Sequence, residues 1–150
     1  MRRFNLTTAL SLVLTLIVSV LSASASAEQF KAVDHFKVHY NALNTTFLTP
    51  EVAATYSIKR SKVRGLINVA VLDSDAGDQA VTAVVGGEVV NLVGQAQALD
   101  FRLVREGTAI YYIAEFRFTN DEVLRFNLNV QPDPNKPAQP VNFEQHFYVD

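Results

Sequence analysis

Apolar side chains occupy every second position along much of the chain after Phe30, and this alternation limits the fold more than any other feature. A strand with one buried face has this period, whereas a helix repeats its apolar face every three to four residues. The pattern therefore predicts an all-β domain. It is clearest in two neighbouring runs, whose inward faces are Ile110, Tyr112, Ala114, Phe116 and Phe118 in the first and Leu124, Phe126, Leu128 and Val130 in the second.

The two runs are predicted to pair as an antiparallel hairpin across the turn-forming residues 119–122. Their inward faces meet on one side of the hairpin only when the paired positions have an even sum. Pairing Glu115 with Arg125 satisfies this rule, whereas the adjacent even register sets Arg117 against Arg125. Because like charges directly opposite each other destabilise a strand pair, we expect Glu115 opposite Arg125.

Further strands are predicted where apolar or alternating runs lie between turn-forming clusters. A different pattern occurs at Thr49, Pro50 and Glu51, which suit the N-cap, the first helical position and the first turn of a helix. We therefore expect one short helix near residues 50–56. The other predicted strands cover residues 36–40, 66–72, 79–85, 88–93, 98–104 and 141–149.

Roughly seven to nine short antiparallel strands cannot bury their apolar faces singly, so two sheets packed face to face are the expected arrangement. We predict an all-β, antiparallel two-sheet sandwich of the immunoglobulin-like kind. A small antiparallel barrel is the alternative, because alternation has the same appearance in both architectures.

The first 27 residues have the three parts of a secretory signal peptide. Arg2 and Arg3 give a positive start, residues 9–21 are apolar apart from small hydroxyl side chains, and residues 23–27 alternate alanine with serine. An uncleaved anchor needs about 20 apolar residues. We expect a signal peptide at 1–27, cleavage after Ala27, and a single β-sandwich domain at 28–150 with no stable membrane span.

The residue types that are absent exclude several kinds of chemistry. The chain has no cysteine and no tryptophan, and its single methionine is Met1. Disulfides, thiolate metal sites, thiol nucleophiles and cysteine-linked lipids are therefore excluded, so the protein is not expected to be a lipoprotein. Thirteen basic against fifteen acidic residues give no basic field for nucleic acid, and neither a nucleic-acid partner nor a cofactor is expected.

Several segments are distinctive in sequence: TFLTPEVA at 46–53, NLVGQ at 91–95, LDFRLVREG at 99–107, AIYY at 109–112 and QHFYVD at 145–150. Through them the chain resembles a bacterial family catalogued as domain of unknown function 4426, over essentially the whole predicted mature domain. The resemblance implies a small exported protein of Gram-negative bacteria, located in the periplasm, and we expect the exported domain to be soluble. It supplies no established activity and no catalytic residue.

Motifs for catalysis are missing from the sequence. The serines after the predicted signal peptide, Ser57, Ser61 and Ser74, lie in neither a Gly-x-Ser-x-Gly nor a Ser-x-x-Lys pattern. Phosphate-binding glycine loops and a His-Glu-x-x-His helix are also missing. The acidic turn at residues 73–78 departs from a calcium loop, since Gly77 is fifth rather than sixth and Val84 occupies the twelfth position. A non-enzymatic role is therefore favoured.

Two sets of residues are candidates for binding. Arg60, Lys62 and Arg64 would project from one face of an extended segment, where they would meet phosphates or carboxylates or deter edge-to-edge aggregation. Tyr111 faces away from Tyr112 and is either part of a partner-binding patch or a second layer beneath a crossing loop.

Histidines are the candidates for a metal site. His35 and His39 would be roughly 13 Å apart along one strand, too far to share an ion. His35 with His146 would form a Zn(II) or Cu(II) site only if the terminal strands pair. The alternative is that the histidines bind no metal and that each is solvated or hydrogen-bonded.

Three functions remain. The favoured one is a periplasmic interaction or accessory module that binds a protein partner through a sheet edge or a loop end. The alternative is a β-sandwich that binds a small ligand, an anion or a metal ion through the basic residues or the histidines. A hydrolase with an unrecognised pair of carboxylates is third, and it would require two acids in one cleft.

Overall fold

The computed structural model describes residues 29–149, and the predicted signal peptide at 1–27 lies outside these residues. One sheet has the strand order β1-β2-β3-β8-β7, with β4 paired to the end of β3. All pairs in this sheet are antiparallel. Its strands are β1 Phe30–Val33, β2 Phe36–Asn44, β3 Arg64–Asp73, β4 Gln79–Ala80, β7 Arg102–Glu106 and β8 Ala109–Arg117.

The second sheet has the order β10-β9-β5-β6 and is also antiparallel. The two sheets pack face to face, which confirms the predicted all-β sandwich, and neither sheet closes into a barrel within residues 29–149. The strands of the second sheet are β5 Val84–Asn91, β6 Ala96–Ala98, β9 Glu122–Gln131 and β10 Gln139–Phe147.

The predicted short helix is confirmed as α1, Pro50–Thr55, which follows a 3₁₀ turn at Thr45–Phe47. The Thr49 side chain accepts a hydrogen bond from the Val52 amide at 3.3 Å, and Pro50 occupies the first turn, where its missing N–H costs nothing. This side-chain hydrogen bond caps the start of α1, and the Glu51 carboxylate in the first turn is favourable beside the positive end of the helix.

The main core lies between the sheets and is formed by the inward faces that alternation predicts. Its aromatic part has Phe126 stacked on Phe143 with ring centroids 4.5 Å apart, and Phe147 in contact with Phe116 and Phe118 at 5.2 and 5.1 Å. Such offset and edge contacts add to the stabilisation from buried area.

The predicted hairpin between the 109–118 and 123–130 runs is wrong. β8 pairs with β3 and β7 in one sheet, whereas β9 pairs with β5 and β10 in the other. The chain crosses between sheets after β8, so the two apolar faces meet across the core instead of side by side. The partner of Arg125 is therefore Glu144, with 2.9 Å between Nε and Oε1, and Glu115 lies opposite Leu66.

The glycine pair predicted to separate two strands lies inside β5 instead. A Cβ on Gly87 would lie 2.4 Å from the Asn127 carbonyl oxygen, and the residue has φ of +149°. Glycine at this position therefore lets β5 approach β9 closely, and the strand predicted at 79–85 is divided between β4 and the start of β5.

Candidate functional site

One end of the sandwich exposes a group of large apolar side chains. The end of β2, the start of β3 and the end of β8 meet there, as do the end of β5, the start of β9 and the end of β10. Scattered exposed apolar residues are ordinary, but several at one end of a small domain are typical of an interaction surface. We call this surface the apolar end, and its exposed residues are Phe47, Val63, Leu92, Val93 and Tyr148.

Leu92 and Val93 form its most exposed part, at 73% and 80% exposed. They lie at the tip of the β5–β6 hairpin, although the sequence predicted them inside a strand. Asn91 holds the turn from both sides, since its side-chain oxygen accepts from the Gln95 amide at 2.8 Å and its amide group donates to Glu122 at 3.2 Å. The two apolar side chains are therefore presented by a turn that is hydrogen-bonded to β9.

Hydrogen bonds also join the other connections at this end. Thr45 and Ser61 bond each other twice, at 3.0 and 3.1 Å, and the Phe118 amide donates to the Val63 carbonyl at 3.2 Å. Asn44 donates to the Tyr148 carbonyl at 2.9 Å. The first three bonds hold connections of the first sheet together, and the Asn44–Tyr148 bond links that sheet to the segment after β10 of the second sheet.

The predicted basic residues lie beside the apolar end, but the segment is not an extended strand. Residues 58–63 form a loop, and Arg64 begins β3. Arg60 donates to the Thr46 carbonyl at 3.2 Å, Arg64 lies 3.8 Å from Glu115, and Lys62 is exposed in a turn. The loop therefore places the three residues in different surroundings, and the predicted single stripe is not formed.

Acidic side chains at the same end are engaged by neighbouring groups. The Asp121 carboxylate lies 2.7 Å from His146 Nε2, and Glu122 accepts from the Thr119 amide at 2.6 Å. Glu115 accepts from the Lys59 amide at 3.2 Å. Of these three carboxylates, Glu115 contacts the 58–63 loop, and it also pairs with Arg64.

The opposite end of the sandwich is polar and charged. Lys37 pairs with Asp78 at 3.0 Å and Lys136 with Asp34 at 2.9 Å. The hydrogen bond to the Asp34 carboxylate holds the pKa of Lys136 above its usual value. We call this surface the charged end, and it comprises Asp34, His35, Lys37, Asp73, Asp75, Asp78 and Lys136.

The two histidines predicted to share a metal lie at opposite ends. His35 immediately precedes β2, whereas Tyr148, which stacks on His146, accepts a hydrogen bond from the last residue of β2. The nine residues of β2 span about 27 Å. Neither β1 nor β2, which flank His35, pairs with β10, which carries His146, so the structure does not bring the two histidines together.

Tyr111 belongs to a second layer on the outer face of the first sheet. It packs against the buried residues Ala53, Ile58, Leu66 and Ile113, beneath α1 and the loop after it. This is the crossing-loop interpretation of the sequence. Beside the cluster, the Tyr56 hydroxyl donates to Glu106, and this bond raises the pKa of Tyr56.

A groove of about 1100 Å³ lies on the same outer face, where the sheet forks. β3 pairs with β8 only as far as Val69 and Tyr112, and beyond that point it pairs with β4. Tyr111 and Asn68 line the groove, and Asn68 Oδ1 is buried with no hydrogen-bond partner among the residues described. This groove was missed by sequence reasoning because it depends on where two strands separate.

The fold and the two contrasting ends define a β-sandwich protein whose strands form the scaffold and whose connections form two different end surfaces. The model of the family described as domain of unknown function (DUF4426) matches residues 30–150. The chain belongs to this family, as the sequence resemblance predicted.

Solved structures with the same fold include a member of the family. The DUF4426 protein from Pseudomonas aeruginosa PAO1 is 36% identical, with a TM-score of 0.71, over 82% of this chain and 96% of that chain. Comparison with curated proteins finds no match.

FetP from uropathogenic Escherichia coli strain F11 is a more distant likeness. Its copper-bound variant is 12% identical, with a TM-score of 0.55, over 81% of this chain and 95% of that chain. Its as-isolated form, expressed in the periplasm of E. coli, is 13% identical, with a TM-score of 0.51, over 82% of this chain and 94% of that chain. At these identities the likeness shows the fold alone.

Among residues 29–149, no helix is both long enough and apolar enough to span a membrane.

Proposed function

We propose that this chain is an exported, non-enzymatic interaction module that binds a protein partner in the periplasm through the apolar end. The observation that carries the proposal is the Leu92–Val93 tip, which is 73% and 80% exposed and hydrogen-bonded to its neighbours. Burying such side chains against a partner contributes roughly 25 cal/mol for each Å² of apolar surface removed from water. Because hydrogen bonds of Asn91 already hold this turn, it loses little conformational entropy on binding.

Charge indicates the kind of partner. Lys59, Arg60 and Lys62 are exposed beside Val63, and the Glu115 carboxylate that contacts this loop is engaged within the domain. A partner with an apolar pocket bordered by Asp or Glu side chains would therefore match this end. The basic loop would orient the encounter, and the apolar tip would provide most of the affinity.

Export to the periplasm rests on residues 1–27. Their positive start, apolar middle and small-residue end are what a secretory leader requires. Family membership is consistent with this location, which the resemblance implies. The proposed module is accordingly the domain from residue 28 onward.

The proposal is tested by site-specific photocrosslinking in living cells. A photoreactive amino acid replaces Val93, and in a matched variant it replaces Val84, which is 67% exposed but lies at the start of β5, far from the tip. We expect a discrete crosslinked protein from position 93 and none from position 84. Changing Lys59 and Lys62 together to Glu should remove that product.

Binding to the purified, identified partner then supplies affinities. Leu92→Asp should weaken binding by more than about tenfold, whereas Val84→Asp should leave it within about twofold. Equal crosslinking from both positions, or a product unaffected by the charge reversal, would overturn the proposal. Sedimentation of the wild type with phosphatidylglycerol vesicles, lost in Leu92→Asp, would assign the surface to a membrane instead of a protein.

A further inference from the structure

The charged end brings one histidine close to two aspartates that follow it by about forty positions in the sequence. The β2–β3 register places Phe36 opposite Asp73, so His35 and the start of the 73–78 turn become neighbours. The Ser74 amide donates to the His35 carbonyl at 2.9 Å, which ties the two connections together. As a result His35, Asp73 and Asp75 offer ligand atoms that all lie within 4.8 Å of one another.

Contacts orient the His35 and Asp73 side chains, and Asp75 is exposed. The His35 ring packs against Phe36 at a tilt of 37°, with centroids 4.0 Å apart, and its Nε2 lies 3.8 Å from Asp73 Oδ1. Asp73 Oδ1 also accepts from the Asp75 amide at 2.9 Å. Hydrogen bonds of this kind orient carboxylates that bind metals.

The turn before His35 is held as well. Asp34 has a positive φ of 52°, which reverses the chain between β1 and β2. Its carboxylate pairs with Lys136 from the loop before β10. The His35 side chain therefore projects from a turn that is fixed by contacts on both sides.

The geometry points to a binding site for a divalent transition metal, of which Zn²⁺ is the representative ion, formed by His35, Asp73 and Asp75. One imidazole nitrogen and two carboxylates are borderline-to-hard donors that suit Zn²⁺ and its neighbours. Ligand bonds of about 2.0–2.2 Å require donors somewhat closer than 4.8 Å, and partly exposed side chains can rotate to provide this. Three protein ligands leave a fourth position for water or an external ligand.

The site is independent of the proposed partner surface. It lies at the charged end, and none of its residues belongs to the apolar end. Loss of one function therefore leaves the other unchanged, and the two proposals fail separately.

The test is a titration of the purified domain, residues 28–150, with Zn²⁺ alone, in which binding is measured by isothermal titration calorimetry. We expect one equivalent to bind with a dissociation constant below about 100 µM. His35→Gln and Asp75→Asn should each weaken binding at least about tenfold, since even residues outside the ligand set commonly change affinity by that factor. Asp73→Asn keeps the oxygen that accepts from the Asp75 amide, so it should lower affinity while preserving the turn.

His146→Gln is the matched control, because His146 also lies beside a carboxylate but in a group with one acid instead of two. It should bind Zn²⁺ as the wild type does. Nitrogen-detected NMR provides a second readout, in which the His35 ring signals shift on addition of one equivalent and those of His146 do not. Failure to bind Zn²⁺ at 100 µM, or loss of binding in His146→Gln with retention in His35→Gln, would overturn the assignment.

Discussion

The two ends of the sandwich differ in how their exposed groups are satisfied. At the charged end, lysines pair with carboxylates from other segments of the chain, and both partners stay partly exposed to solvent. At the apolar end, polar groups of the loops bond internally while Leu92 and Val93 face solvent. Water can hydrogen-bond to the exposed groups of the charged end but not to the apolar side chains of the apolar end. One scaffold thus has two end surfaces of different character, and the proposed metal site and the proposed partner surface lie on different ends.

The core residues beneath the two ends also differ in size. Phenylalanine rings fill the space under the apolar end, with Phe147 in contact with Phe116 and Phe118. Smaller aliphatic side chains, among them Val130 and Val141, lie nearer the charged end. We therefore expect substitutions under the apolar end to change stability more.

The largest expected effect comes from comparing Phe147→Ala with Val141→Ala, since both residues are 1% exposed. Phe147→Ala should lower the free energy of unfolding by about 3–5 kcal/mol, because it leaves a ring-sized cavity. Val141→Ala removes only two methyl groups, so its effect should be about 2 kcal/mol. Urea denaturation gives both values, and Phe30→Ala, at an exposed ring, serves as the control. A larger loss for the valine would contradict the comparison between the two parts of the core.

A glycine at each end gives the next largest effect. A Cβ on Gly65 would lie 2.1 Å from the Phe116 ring, which is itself packed among other phenylalanines. Gly65→Ala should therefore cost about 2–3 kcal/mol through overpacking. Gly77 has φ of +69° and open space around it, so Gly77→Ala should cost only about 1 kcal/mol from backbone strain. The midpoints of thermal unfolding rank the two variants by stability. Equal midpoints would show that the Phe116 ring moves aside at little cost.

The smallest effect tests which strand lies beside β9. Arg125 and Glu144 are both about half exposed and their charged groups are 2.9 Å apart. A double-mutant cycle with Arg125→Gln and Glu144→Gln should give a coupling of about 0.2–1 kcal/mol. The matched cycle of Arg125 with Glu115 should give none, because those residues lie in different sheets. Coupling between Arg125 and Glu115, without coupling between Arg125 and Glu144, would instead support the hairpin predicted from the sequence.

Much of the local structure could be predicted from the sequence. The inward faces of β8 and β9 and the start of α1 at Pro50 follow from alternation and from helix-start residues. The pairing of those strands could not be predicted. The rule that paired positions have an even sum applies to any two strands and does not say which strands are neighbours. Leu92 and Val93 were similarly assigned to a strand, because two apolar residues in succession do not reveal a turn.

The candidate sites show the same division. The acidic turn at 73–78 was recognised, but its relation to His35 was missed because calcium-loop spacing considers ligands within one short segment. The β2–β3 register supplies the missing ligand from a position 38 residues before Asp73. Arg60, Lys62 and Arg64 were predicted as one stripe, and the loop at 58–63 separates their surroundings.

The sequence by itself determined the all-β class, the buried faces, the short helix and the family, because each is encoded by residues that lie close together in the chain. Only the tertiary structure decided that β8 and β9 enter different sheets, that apolar tips gather at one end and that His35 meets Asp73 and Asp75 at the other. The physical reason is that burial specifies which side of a strand faces inward. Which strands become neighbours is settled by packing the whole core at once.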